Sequence, residues 1–203
     1  MDTQKSAVLD AATLAAALAR CCDVLEACAP ELNALDARLG DGDLGTTLSK
    51  CAANIREVLA QQASGLEALL KSCAQACARA SGSSFGTLLA VAFLTAAKTV
   101  GDRNALDRDA LVALLDGVVH ALSQRGGASL GDKTMLDSLA AINRALEAAQ
   151  QDLRAAARQG AADALDAFRD KPNKIGRARM FAERSIGLDD PGMVAVRRMA
   201  DAL

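Results

Sequence analysis

Apolar residues recur along this chain at helical spacing, and the pattern predicts a succession of amphipathic helices. A first helix is predicted over 6–29, with Ala12, Leu14, Ala15, Leu18, Cys22 and Leu25 on one face and Pro30 as its end. A short turn then carries Leu32 to Leu35. Further helices are predicted over about 45–61, 65–80 and 85–100. The last of these is apolar nearly all round, as a helix central in a bundle is, and Gly101 stops it. Asn104, with Asp107 three residues on, resembles a capping start. The stripe Leu111, Leu114, Leu115, Val118, Leu122 follows, up to Gly126-Gly127. Residues 132–149 show Met135, Leu139, Ile142 and Leu146 on one side. Another helix is predicted over 151–169 with a bend at Gly160, then an irregular stretch over 170–189. Asp190-Pro191 starts the last helix, Asp as cap and Pro at the first helical position. No segment alternates with period two, so no sheet is expected. The fold expected is all-α: eight helices in one antiparallel bundle, residues 1–203 as a single domain.

Composition supports helices. Of 203 residues 51% are hydrophobic, largely Ala and Leu, and only 2% are aromatic. Three prolines, at 30, 172 and 191, leave the long middle free for helices. A net charge of −2 lacks the basic footprint of a nucleic-acid binder. The longest apolar run, Phe85 to Ala97, falls short of the roughly 20 residues a membrane span takes. Asp2 and Asp10 spoil the positive region of a signal peptide, so a cytoplasmic protein with no membrane partner is expected. The six cysteines sit inside helical patterns and read as small buried thiols, although Cys73 and Cys77 share a face that zinc can use.

The chemistry concentrates in one stretch, Leu35-Asp36-Ala37-Arg38-Leu39-Gly40-Asp41-Gly42-Asp43-Leu44-Gly45-Thr46-Thr47. Asp36, Asp41 and Asp43 offer hard oxygen ligands of the kind Mg²⁺ or Ca²⁺ takes. The helix start at Gly45-Thr46-Thr47 offers backbone N–H groups to a phosphate. A calcium loop does not fit, because counting from Asp41 puts Gly45 at position five and Ala52 at position twelve. A solvated turn rich in Asp and Gly is the plain alternative.

Two further stretches stay open on spacing alone. Gly126-Gly127-Ala128-Ser129-Leu130-Gly131-Asp132-Lys133-Thr134 nearly matches a P-loop, but Asp132 intrudes and a helix precedes it, where a P-loop follows a strand. It is a structural corner or a seat for a flat ligand. The connection from Gly176-Arg177-Ala178 through Glu183-Arg184-Ser185-Ile186-Gly187 to Asp190-Pro191-Gly192 is long for a compact domain. Arg177 or Arg184 can hold a phosphate there, or the charges pair among themselves.

Together with Ala80-Ser81-Gly82, these stretches occur in an order that resembles the nucleotide-binding L subunit of dihydroxyacetone kinases, equivalent to the C-terminal domain of the single-chain ATP-dependent enzymes. Gly131-Asp132-Lys133-Thr134-Met135 and Glu183-Arg184-Ser185-Ile186-Gly187 with Asp190-Pro191-Gly192 are the specific motifs. The resemblance implies an eight-helix barrel with the nucleotide at one end. It implies that Asp36, Asp41 and Asp43 hold two Mg²⁺ ions bridging the phosphates of ADP or ATP. Leu44, Gly45, Thr46, Thr47, Ala80 and Ser81 would line the phosphates. Gly126, Met135, Arg177, Asp190, Pro191 and Gly192 would complete the pocket. The family more often has His where this chain has Leu44. The keto-substrate of the family, dihydroxyacetone or a related short keto-sugar, binds through a histidine on a separate K subunit, and His120 matches no motif. The chain then resembles half a kinase, with no catalytic residue of its own. Its phosphoryl source is ATP or a phosphotransferase-system protein. A nucleotide-state sensor that contacts a regulator is the alternative reading.

Overall fold

The computed structural model describes residues 9–61, 64–80 and 84–203. Asp10 accepts a hydrogen bond from the Thr13 N–H and starts α1, Ala11–Ala27. Pro30 interrupts this helix, but it also suits the first turn of the next, because it has no N–H to waste there. The stretch expected as a turn is therefore a short helix, α2, Ala29–Asp36. Then follow α3, Leu44–Leu59, α4, Leu66–Arg79, α5, Ser84–Val100, and α6, Arg108–Gly126. The series closes with α7, Met135–Ala148, α8, Leu153–Arg169, a 3-10 segment over Arg177–Ser185, and α9, Pro191–Asp201. All eight predicted helices form, and α2 is added to them.

The helices close a ring. In order round it, α1 packs on α3, α3 on α4, and so on through α8 and α9, which returns to α1. The short α2 lies at one end against α3 and α9. Neighbours alternate in direction, so the starts of α3, α5, α7 and α9 and the ends of α2 and α6 meet at a single end. The opposite end carries a feature that period-two patterning is too short to signal. Leu9–Asp10 (β1) pairs antiparallel with Ala105–Leu106 (β2), Leu9 opposite Leu106. That pairing takes up 105–106, so α6 starts later than Asn104 suggests. Asp107 is its cap, accepting from the Ala110 N–H at 2.9 Å.

Two apolar clusters fill the ring. One gathers Leu32, Leu48, Ile55, Leu69, Cys22, Cys51, Cys73 and Cys77 from α1 to α4, with Val194 and Ala195 of α9, and the other joins Leu66 and Leu70 of α4 to residues of α5 to α9. Phe85, Phe93, Leu14 and Met199 pack against both. The apolar helix α5 is thus a wall of the ring rather than its axis, and Leu94 on it is 42% exposed. With so few aromatics the helices approach closely. A Cβ on Gly160 would stand 2.9 Å from the Ala141 carbonyl, so this glycine marks a helix crossing, and α8 runs unbroken through it. Among the described residues no helix is long and apolar enough to cross a membrane. All six cysteines are free thiols, and burial pushes Cys22 up to about 11 and Cys73 up to about 12.

Candidate functional site

The Asp loop sits where α2 hands over to α3. Asp36 is the last residue of α2, and its Oδ2 accepts the N–H groups of Gly42 (3.0 Å), Asp43 (3.0 Å) and Leu44 (3.3 Å). One carboxylate therefore shapes the whole loop, helped by the left-handed φ of +77° at Gly42, which only glycine takes cheaply. Asp43 occupies the cap position of α3 yet makes no side-chain cap bond, so its carboxylate remains available. One oxygen each from Asp36, Asp41 and Asp43 comes within 4.8 Å of the others. Among the described residues no other group of three His, Cys, Asp or Glu does so, and Cys73 and Cys77 are not part of any such group. Three hard oxygens at this spacing suit Mg²⁺. Arg177, from the far connection, already forms an ion pair with Asp41.

The start of α3 is less open to a phosphate than its sequence suggests. The Leu44 N–H goes to Asp36, the Thr46 N–H to Asn33 Oδ1 (3.1 Å), and the Thr47 N–H to the Asp43 carbonyl. Gly45 is wedged under α2, where a Cβ would fall 2.0 Å from the Ala29 carbonyl. Its N–H is the first-turn donor that no described residue engages. Leu44 is 7% exposed and belongs to the apolar cluster of α1 to α4, so its side chain does packing work.

The near-P-loop motif turns its lysine away from any ligand. Gly131 (φ +95°) and Lys133 (φ +63°) take left-handed conformations that delay α7 to Met135. Thr134 caps that helix in a reciprocal box with Asp137, whose carboxylate accepts from the Gly131 and Thr134 N–H groups. Lys133 is 1% exposed, and its ammonium donates to the carbonyls of Arg169 (2.9 Å), Lys171 (2.8 Å) and Ser185 (2.8 Å). Three donors meet three acceptors, so a buried charge is fully hydrogen-bonded. Burial lowers its pKa, and Asp190, Asp189 and Asp170 oppose that. Lys133 thereby ties down the long connection 170–189. Asn173 adds to the knot, its side-chain amide donating to the Lys133 carbonyl (2.9 Å) and to Asp190 Oδ2 (3.0 Å).

These segments surround one cleft of about 600 Å³ at the end of the ring where the helix starts meet. Asp36, Asp41, Asp43 and Leu44 line it from the Asp loop, and Arg177, Asp190, Pro191 and Gly192 from the long connection and the start of α9. Gly126 and Met135 line it as well. Gly45, Thr46, Thr47 and Ala80 are not among the lining residues, and Ser81 lies outside the described residues. Four helix N-termini converge here, and their dipoles favour an anion. The apolar part includes Phe85, Leu88, Leu122, Met135 and Ile175. Sequence reading missed Phe85 and Leu88, since a helix apolar all round does not announce which side faces a ligand. It also missed Arg125, in the last turn of α6.

Asp190 caps α9, accepting from the Met193 N–H at 2.9 Å. Burial pushes its carboxyl up to about 6, against the downward pull of Met193, Asn173, Gly192 and Lys133. A folded pKa above the unfolded value near 4 favours the protonated form in the fold. The stability this group adds is full below about pH 4 and is lost as pH rises through about 6. Relative to Asp190→Asn, which does not titrate, the wild type is expected to lose melting temperature between pH 4 and pH 7. A difference that stays flat across that window contradicts the assignment.

A family model described as the DAK2 domain matches residues 38–203. The D-erythrulose kinase of Mycolicibacterium smegmatis is 34% identical over 186 residues, which cover 85% of this chain and 32% of that protein. The ADP-binding subunit DhaL of the PEP-dependent dihydroxyacetone kinase of Escherichia coli is 28% identical over 193 residues, 92% of each chain. The crystal structure of the dihydroxyacetone kinase from C. freundii in complex with AMP-PNP and Mg²⁺ superposes with a TM-score of 0.75 at 26% identity. It covers 100% of this chain and 35% of that one. The chain thus spans about a third of the erythrulose kinase and of the C. freundii enzyme, and nearly all of DhaL.

Proposed function

Because this chain belongs to the DAK2 domain family, we propose that it is the nucleotide-holding part of a kinase acting on dihydroxyacetone or a related short keto-sugar. The observation that carries this reading is the facing of Asp36, Asp41 and Asp43 into a cleft ringed by four helix starts. Asp36, Asp41 and Asp43 would hold Mg²⁺, two ions in our reading, against the phosphates of ADP or ATP. Mg²⁺ there would neutralise phosphate charge, which is most of what phosphoryl transfer asks of a protein. Asp36 keeps the loop in shape through its three N–H acceptances. Arg177 offers a planar fork to a phosphate from the long connection. Leu88, Leu122, Met135 and Ile175 form an apolar slot suited to a flat base, with Gly126 at its edge. Lys133 holds the wall that bears Arg177 and leaves the chemistry alone.

The keto-sugar is held elsewhere in this reading. The lone histidine, His120, lies exposed on α6, hydrogen-bonded to Gln124 at 2.9 Å, and does not line the cleft. A K-type substrate-binding partner completes the enzyme. Its phosphoryl source is ATP or a phosphotransferase-system protein. The test combines this chain with a K-type subunit and dihydroxyacetone and follows the phosphorylated sugar with ATP and, separately, with a PEP-driven donor system. Turnover that requires both chains is expected. Mg²⁺–ADP binding without turnover in either system would overturn the kinase reading in favour of a nucleotide-sensing module.

A further inference from the structure

We infer that Arg177 is a latch which competes with the divalent cation for Asp41 and moves to the phosphates when a metal–nucleotide enters. The inference rests on the metal–nucleotide reading of the cleft. Arg177, on the long connection, and Asp41, on the Asp loop, both line the cleft and form an ion pair. Both side chains remain open to solvent, so the pair exchanges readily. Asp41 belongs to the trio whose ligand oxygens lie within 4.8 Å, so a cation held by that trio sits a few ångströms from the guanidinium. Two positive charges at that separation repel, and they share one carboxylate.

The connection is built for such a movement. Its feet are fixed by the Lys133 ammonium on Lys171 and Ser185, and by Lys174 N–H on the Asp132 carbonyl. Between Ile175 and Glu183, the Arg177–Asp41 pair ties the connection to the Asp loop. Gly176 precedes Arg177 with φ +68° and open space where a Cβ would stand, a backbone joint that swings cheaply. Metal alone must dislodge the guanidinium at a cost. Phosphates give the displaced guanidinium a new partner, so metal and nucleotide each raise the affinity for the other.

The test uses the full chain with Mn²⁺ as the probe, reading free Mn²⁺ by electron paramagnetic resonance, and ADP by calorimetry. Arg177→Gln is expected to bind Mn²⁺ alone roughly ten-fold tighter than wild type, while its affinity for ADP in Mn²⁺ falls. Arg177→Lys keeps the charge and should leave Mn²⁺ affinity near that of wild type. Equal Mn²⁺ affinity in wild type and Arg177→Gln, with ADP affinity alone reduced, overturns the latch and leaves Arg177 an ordinary phosphate contact. Mn²⁺ bound by neither form, or bound by Asp41→Asn no less than by wild type, overturns the metal reading itself.

Discussion

Lys133→Met is expected to lower the melting temperature by roughly 6–12 °C while the helical content persists. The side chains are similar in length, so little cavity forms. The loss is the ammonium, which serves the carbonyls of Arg169, Lys171 and Ser185. Arg169 keeps a bond from the Gly187 N–H and Ser185 one from the Leu188 N–H, but the Lys171 carbonyl loses its partner. Lost charge-assisted bonds and one orphaned carbonyl cost about 3 kcal/mol after the saved desolvation of a charge. For a chain of this size each kcal/mol moves the midpoint by about 2–4 °C. Nucleotide affinity should fall too, because the connection carrying Arg177 loses its anchor. Calorimetric melting and ADP titration of the variant check both; an unchanged midpoint would show that the buried amine contributes no net stability.

The second large effect concerns Asp36. Asp36→Asn keeps the shape of the side chain but removes the charge that three N–H groups share. It also removes one of the three oxygens expected to hold metal. Changing an outer-shell partner of a metal ligand already costs about 10–100-fold in affinity. Here the same residue is both ligand and loop organiser, so Mg²⁺-dependent ADP affinity is expected to fall by at least roughly a hundred-fold. The fold should lose only about 1–2 kcal/mol, the worth of weakened charge-assisted bonds. Titration calorimetry beside urea unfolding separates these quantities. A collapse of stability with ADP affinity intact would make Asp36 a structural residue only.

The elements that were legible in the sequence were those whose signal is local. The stripe from Leu111 to Leu122 and the Asp190-Pro191 start need no knowledge of neighbours, and both helices form there. The Asp loop was legible for the same reason, since three carboxylates and three glycines in one short run constrain each other. What was not legible depends on distant partners. Pro30 signals a stop in the sequence, but the packing of α2 against α3 and α9 makes it a start as well. Asn104 lost its capping role to strand pairing with residues nearly a hundred positions earlier. Lys133 carries the same letters whether it reaches for a phosphate or for three carbonyls. Only the left-handed turn at Lys133 and the return of 169–185 decide it. The engagement of the Leu44 and Thr46 N–H groups by Asp36 and Asn33 is likewise a matter of how α2 docks.

In the function proposed, carboxylates and phosphates meet through Mg²⁺ in this cleft. Calorimetric titration of the wild-type chain with ADP, once in Mg²⁺ and once in excess chelator, addresses it most directly. Clear binding is expected in Mg²⁺, and at least roughly a hundred-fold weaker binding without it, as for loss of a ligand carboxylate. In Mg²⁺ at one hundred times Kd, ADP should also stabilise the fold by about 2.7 kcal/mol. Equal ADP affinity with and without Mg²⁺ would contradict it.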